Sequence, residues 1–209
     1  MASPYVYERQ SEYWISRRIE EFFLDVGFEV VTFPLTQYNE RLIPADFIFF
    51  DKRRSKLFGF QYKALYHNEE DFWPIDPVQH EKLAGFPWIY YCLSELKTSQ
   101  DHRAALYLIR VVETDFEFRR KLHPTKMQVY SRWGAFYQGL ERCSRGVLVS
   151  SQERLNDLLK PKDNVELPWE LADLMVDVFI ADFATRHSVH LSPQLKLVDT
   201  EQRDIATEW

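Results

Sequence analysis

Between Glu8 and Val26 the apolar side chains Trp14, Ile15, Ile19, Phe22, Phe23 and Val26 return every three or four residues, a spacing that predicts an amphipathic helix, and Gly27 supplies its stop. The pattern then changes. FEVVTFPL (28–35), ADFIFF (45–50) and LFGFQYKALY (57–66) are short runs rich in β-branched and aromatic residues, as in strands, and the polar DKRRSK (51–56) reads as a turn joining the last two. TQYNERLIP (36–44) reads as a loop or irregular edge. After a polar stretch, HNEEDFWPIDP (67–77), a short helix is expected over VQHEKLAG (78–85), followed by buried strands over PWIYYCLSEL (87–96) and ALYLIRVVE (105–113). Further on come a helix over 133–143, a short strand over 146–151 and a strong helix over 168–188.

This order predicts an α/β fold, a central mixed β-sheet flanked by helices. No repeat, low-complexity tract or Gly/Ser-rich linker divides the chain. The expectation is therefore one domain over 1–209, with a core over 8–115 and a helical elaboration over 116–209 packed on it.

Composition narrows the classes. With 209 residues, 45% of them hydrophobic, and sixteen Phe, eleven Tyr and six Trp, the chain can bury one substantial core. It has no basic segment leading a long apolar one and no eighteen-residue apolar run, so an intracellular, cytoplasmic protein with no membrane partner is expected. Two cysteines, Cys92 and Cys143, exclude a disulfide framework and a four-cysteine metal site. The net charge of −6 hides an uneven distribution: 103–145 hold nine Lys/Arg against four Asp/Glu, and 153–209 hold six against twelve. For charge runs alone, a merely solvated surface is the favoured reading.

The hairpin carries the candidate chemistry. With its loop centred on Arg53 and Arg54, facing positions sum to 107, so Asp51 faces Lys56, Phe49 faces Phe58, and Asp46 falls opposite Gln61. Lys63 is the diagonal neighbour. Since strand side chains alternate faces, Asp46, Gln61 and Lys63 share one side of the sheet, and Phe47, Phe49, Phe58, Phe60 and Tyr62 the other. A carboxylate, an amide oxygen and an ammonium suit a hard divalent cation and metal-assisted phosphodiester hydrolysis. The alternative is a structural Asp46–Lys63 salt bridge capped by Gln61.

These residues resemble the PD-(D/E)xK nuclease superfamily, with its restriction-endonuclease-like fold, on "PAD" (44–46), fourteen intervening residues and "QYK" (61–63). The Gln form looks most like the Mrr-type branch. The resemblance covers about 8–93, in the order helix, strand, hairpin, helix, strand, and implies a restriction-endonuclease-like core with a helical C-terminal extension. It also implies a Mg²⁺-dependent (or Mn²⁺-dependent) endonuclease acting on double- or single-stranded DNA, in defence against foreign DNA or in repair, as a homodimer or as a subunit of a larger complex. Asp46, the Gln61 oxygen and the Tyr62 backbone carbonyl would hold the metal, and Lys63 would assist the attacking water. Where the family carries a metal-associated helix glutamate this chain has Ser16; Glu12 lies one turn earlier on the same face and Glu20 one turn later, and Glu12 is the preferred candidate, with an N-terminal-turn glutamate favoured by the helix dipole as the plainer reading. Gln79, ahead of the next helix, is a supporting candidate.

Arg53, Arg54 and Lys56 at the hairpin, and Arg119, Arg120, Lys121 and Lys126, are the candidate phosphate contacts. Trp73 and Trp133 would either stack on unpaired bases or belong to the core. Glu69, Glu70 and Asp71 offer a supporting carboxylate or a solvated loop. His187 and His190 read as helix-end histidines rather than metal ligands. HEKLA (80–84) lacks the second histidine of a zinc-protease motif, and no phosphate-binding glycine loop occurs. Two readings besides the nuclease stay open: a catalytically inactive member of the fold that binds nucleic acid or assembles with a protein, and an acidic-tailed protein-interaction domain.

Overall fold

A computed structural model of the chain describes residues 2–40, 42–160 and 175–177. The chain divides into two compact units, Met1–Trp169 and Glu170–Trp209. Of the second, 175–177 form a helical turn. Most of the helix expected over 168–188, and His187 and His190, lie outside the described residues.

The first unit opens with β1 (Ser3–Pro4), α1 (Glu8–Asp25), β2 (Val30–Pro34) and the single turn α2 (Gln37–Glu40). The hairpin β3 (Phe47–Asp51) and β4 (Lys56–Lys63) follows, then β5 (Tyr66–His67), β6 (Asp71–Pro74) and α3 (Pro77–Leu83). Next come β7 (Ile89–Ser94), a 3₁₀ helix (Ser99–Tyr107), β8 (Ile109–Val112), β9 (Lys121–Leu122), α4 (Trp133–Glu141), β10 (Val147–Leu148) and α5 (Gln152–Leu159). The main sheet runs β2-β3-β4-β7-β8, with β10 beside the start of β4, and the smaller one runs β1-β5-β6-β9. Among the described residues, the β4–β7 pair alone in the main sheet is parallel. The fold is thus mixed α/β, a mixed sheet flanked by helices. Among the described residues no helix is long and apolar enough to cross a membrane.

Three local expectations need correction. Residues 105–107, expected in a strand, complete the 3₁₀ helix, whose Thr98 and Asp101 form a reciprocal capping box that fixes the chain as a helical turn. Part of the polar stretch 67–77 joins β5 and β6, because Phe72 pairs with Tyr66 on one face and Trp73 is buried on the other. The elaboration expected to be helical over 116–209 also adds β9 to the smaller sheet, while β10 falls within the short strand expected over 146–151.

One sheet face carries the large core. Ile15, Ile19 and Phe23 of α1 meet Phe49, Phe58, Phe60 and Tyr62 of the hairpin, and Trp133, Phe136 and Leu140 of α4 close the cluster. Phe49 and Phe58 stack at 5.0 Å with planes 10° apart, as their cross-strand pairing requires. The position of α1 is fixed at both ends. Gly27, at φ +77°, donates to Leu24 O while Phe28 N–H reaches back to Phe23 O, so the helix ends in a Schellman turn that favours glycine. At its start, Glu8 and Glu12 face the C-terminal end of β4.

Candidate metal and phosphate site

The register of the hairpin is the one the sequence predicts: Phe47 pairs with Phe60, Ile48 with Gly59, Phe49 with Phe58, Phe50 with Leu57 and Asp51 with Lys56. Asp46 immediately precedes β3 and continues the ladder through its N–H to Phe60 O, at 2.9 Å. Alternation then puts Asp46, Gln61 and Lys63 on the face opposite the aromatic core.

Asp46 is buried, with 7% of its surface exposed, and Gln61 has 1%. Both bonds to Asp46 fall on Oδ2: Gln61 Nε2 donates at 2.7 Å and Tyr62 N–H at 2.6 Å. Since the N–H and C=O of one strand residue point to the same side, the Tyr62 carbonyl lies along the strand edge that Asp46 occupies. The other end of the Gln61 amide, Oε1, is buried and has no hydrogen-bond partner among the described residues. An unsatisfied buried acceptor costs about 1–3 kcal/mol. That cost disappears if a cation or a donor meets the oxygen.

Lys63 is held from the helix side. Its Nζ lies 3.6 Å from Glu8 Oε1, while Glu8 Oε2 accepts the Ala64 N–H at 3.2 Å. Among the described residues no ion pair joins Lys63 to Asp46, so the salt bridge proposed as the structural alternative takes a different form, with Glu8 as its acid. Glu8 is the residue that sequence reasoning missed. Its signal was its position four residues before Glu12, on the same helix face. One turn beyond, Ser16 bonds the buried Tyr62 hydroxyl at 2.9 Å, tying α1 to the strand.

The electrostatics are those of crowded carboxylates. Burial pushes the Asp46 carboxyl well above its usual range, and the nearby Glu12 charge adds to this, against the Lys63 ammonium and the Tyr62 N–H. Glu12 rises to about 7, first through burial and then through repulsion from Glu8 and Glu40. Burial also raises Glu40, with Arg9 and Lys63 opposing. Three acids beside the lysine thus hold protons more tightly than free carboxyls do, and a bound cation would reverse that bias. Among the described residues no three Asp, Glu, His or Cys side chains stand at metal-binding spacing. The donor types do fit a hard oxygen-seeking cation: one carboxylate, an orphaned amide oxygen, a main-chain carbonyl on the same edge, and Glu12 half-buried nearby.

The basic candidates separate into two regions. Lys56 is not a phosphate contact: 2% exposed, it donates through Nζ to Leu140 O at 2.7 Å and Arg145 O at 2.9 Å, so it joins the end of α4 to the hairpin. Arg54 bonds Asp51 at 2.7 Å, Glu141 at 3.1 Å and the Tyr137 hydroxyl at 3.3 Å. Arg53 lies over the Phe28 ring at 4.0 Å. This hairpin tip is one β4 length, roughly 25 Å, from Lys63. Arg119 and Arg120, just before β9, and Lys121, its first residue, are exposed, as is Lys126 after it. Gln79 sits half-buried in the first turn of α3, its N–H capped by Asp76.

Trp73 and Trp133 are core residues, with Trp73 donating to Ser94 O. Asp71 binds Tyr5, His67 and Lys97 and pins β1 to the small sheet, while Glu70 pairs with His123 and Lys126. Neither faces Lys63 through any of these contacts.

No family model, curated protein or solved structure matches the chain.

Proposed function

We propose that the protein is a metal-dependent nuclease that hydrolyses phosphodiester bonds of DNA. The observation that carries this reading is the buried, unpartnered Gln61 Oε1 beside Asp46, with Lys63 two residues along the same strand face. Asp46, Gln61 Oε1 and the Tyr62 carbonyl would hold Mg²⁺ or Mn²⁺, with Glu12 contributing from α1. The ion would polarise the phosphate and lower the pKa of a bound water.

The protein's own residues carry the remaining work. Lys63 offsets the negative charge that builds on the phosphate and orients the water attacking it. Glu8 holds the ammonium in place until substrate competes for it. The Gln61 amide must release Asp46, or turn its oxygen inward, for both to serve one ion. Defence against foreign DNA or DNA repair is the setting this activity suits, with a second copy or a partner protein bringing a cutting site to the other strand.

The test is incubation of plasmid and single-stranded DNA with Mg²⁺, Mn²⁺ or EDTA, with Lys63→Ala in parallel. Metal-dependent cutting that the variant loses supports the reading. Cutting that survives in EDTA or in the variant overturns it.

A second reading has its own observation. Gln61 donates to Asp46, and no group of three acidic, histidine or cysteine ligands forms among the described residues, as in a nuclease fold retained only for binding. Tight DNA binding with no cleavage under any divalent ion would select it.

A further inference from the structure

The sheet face that bears Gln61 continues sideways. Gln61 pairs with Tyr91 of β7, and Tyr91 with Val112 of β8, so the three side chains lie in one row across the sheet. Val112 forms part of the wall of a cavity of about 260 Å³ that opens between β8 and β9. From Gln61 to Val112 the row spans two strand spacings, roughly 10 Å. Phe116 links row and cavity: it lines the cavity and its ring lies 5.8 Å from Tyr91 and 4.7 Å from His80.

The cavity has an apolar interior and a cationic rim. Phe116, Leu122 and Met127 line it; at its mouth Arg119, Lys121 and Lys126 outnumber one acid, Glu117, which pairs with Arg119, while Lys126 meets Glu70. Val129, also at the wall, is 84% exposed, an apolar side chain that the fold leaves in water. The Gln128 amide adds a donor and an acceptor. A volume just below the usual range for drug-sized ligands, about 300–1,000 Å³, suits one flat heterocycle. The rim suits an anion attached to it.

The geometry points to this cavity as the receptacle for one unpaired nucleobase of a DNA strand, with Arg119, Lys121 and Lys126 on the adjoining phosphates. A base paired within a duplex cannot enter such a cavity without leaving its stack, so the preferred substrate is single-stranded or locally unpaired DNA. That the same strand continues to Lys63 for hydrolysis rests on the nuclease reading; capture of the base does not.

Binding is measured in EDTA, where no cleavage can intervene, by fluorescence anisotropy of a twelve-residue deoxyoligonucleotide, its blunt duplex and an abasic oligomer of equal length. The single strand should bind at least about tenfold tighter than either competitor. Lys121→Ala with Lys126→Ala should weaken it about tenfold and reduce the salt slope by about 1.4, two phosphate contacts at about 0.7 each. Val129→Ser, a neutral change at an exposed position that folding does not need, should weaken the intact oligomer and leave the abasic one unchanged. Equal binding of the abasic and intact strands, equal binding of the duplex, or indifference to both variants would overturn the assignment. The two claims fail separately: Lys63-dependent cutting with no base-dependent binding removes the pocket alone, and base-dependent binding without cutting under any divalent ion retains the pocket and removes the hydrolysis.

Discussion

Replacing Glu12 by Gln should stabilise the metal-free protein at alkaline pH and leave it nearly unchanged at acid pH. Folded Glu12 titrates at about 7 against an ordinary 4.5, chiefly because burial disfavours its charge and secondarily because Glu8 and Glu40 repel it. Between those two values the folded state binds more protons than the unfolded one. Stability therefore falls as pH rises through this window and levels off above about 7. At about 1.36 kcal/mol per pH unit the full effect is about 3.4 kcal/mol, and because Glu12 is only half-buried, solvent screening reduces it to about 1–2 kcal/mol. Glutamine keeps the shape and removes the charge. Urea unfolding in EDTA at pH 4 and pH 8 should show a variant that matches wild type at the lower pH, below the ordinary 4.5, and exceeds it by about 1–2 kcal/mol at the higher, with a shallower pH slope. Part of the slope will remain, since Asp46 and Glu40 are raised as well. An equal shift at both pH values, or a variant less stable at pH 8, would refute the crowded-carboxylate account.

Other substitutions probe the frame around the site. Lys56→Ala should cost at least about 3 kcal/mol in urea unfolding, because it strands two buried carbonyls and opens a cavity beneath α4, and any loss of DNA binding should track the loss of folded protein. Gly27→Ala should cost about 1 kcal/mol in thermal unfolding, since alanine at φ +77° strains the turn that ends α1. Asp71 is held down to about 2, first by Lys97 and also by His67 and Tyr5, so its contribution is complete above its ordinary 3.8 and is lost as pH falls through about 2. Asp71→Asn should therefore destabilise by up to about 1 kcal/mol at pH 7 and by little at pH 2, read by chemical denaturation at the two pH values.

The hairpin register was legible because two physical constraints agreed: a polar loop at DKRRSK that centres the turn, and a period-two alternation that then puts Phe47, Phe49, Phe58, Phe60 and Tyr62 on one face. Gly27 was legible for a similar reason, as the natural stop of a periodic helix. Lys56 was misread because a lysine beside two arginines looks solvated, and its burial depends on carbonyls 84 and 89 residues further along. Glu8 was hidden by its own plausibility, since an acid in the first turn of a helix already has a dipole to satisfy. Residues 105–107 carry strand-like composition, yet Thr98 and Asp101, several residues upstream, fix them as a 3₁₀ turn. α5 went unread, although Ser151 caps it by accepting the Arg154 N–H and Leu155 and Leu159 bury its inner face.

The hydrolytic reading requires that Asp46 and the Gln61 oxygen serve one divalent ion. Calorimetric titration of Mn²⁺ at pH 8 into wild type, Asp46→Asn and Gln61→Glu tests this without reference to cleavage. The reading predicts one site in wild type, no binding in Asp46→Asn, and binding about tenfold or more tighter in Gln61→Glu, where a second charge joins the same ion. Identical titrations for all three proteins, or none that bind, would contradict it.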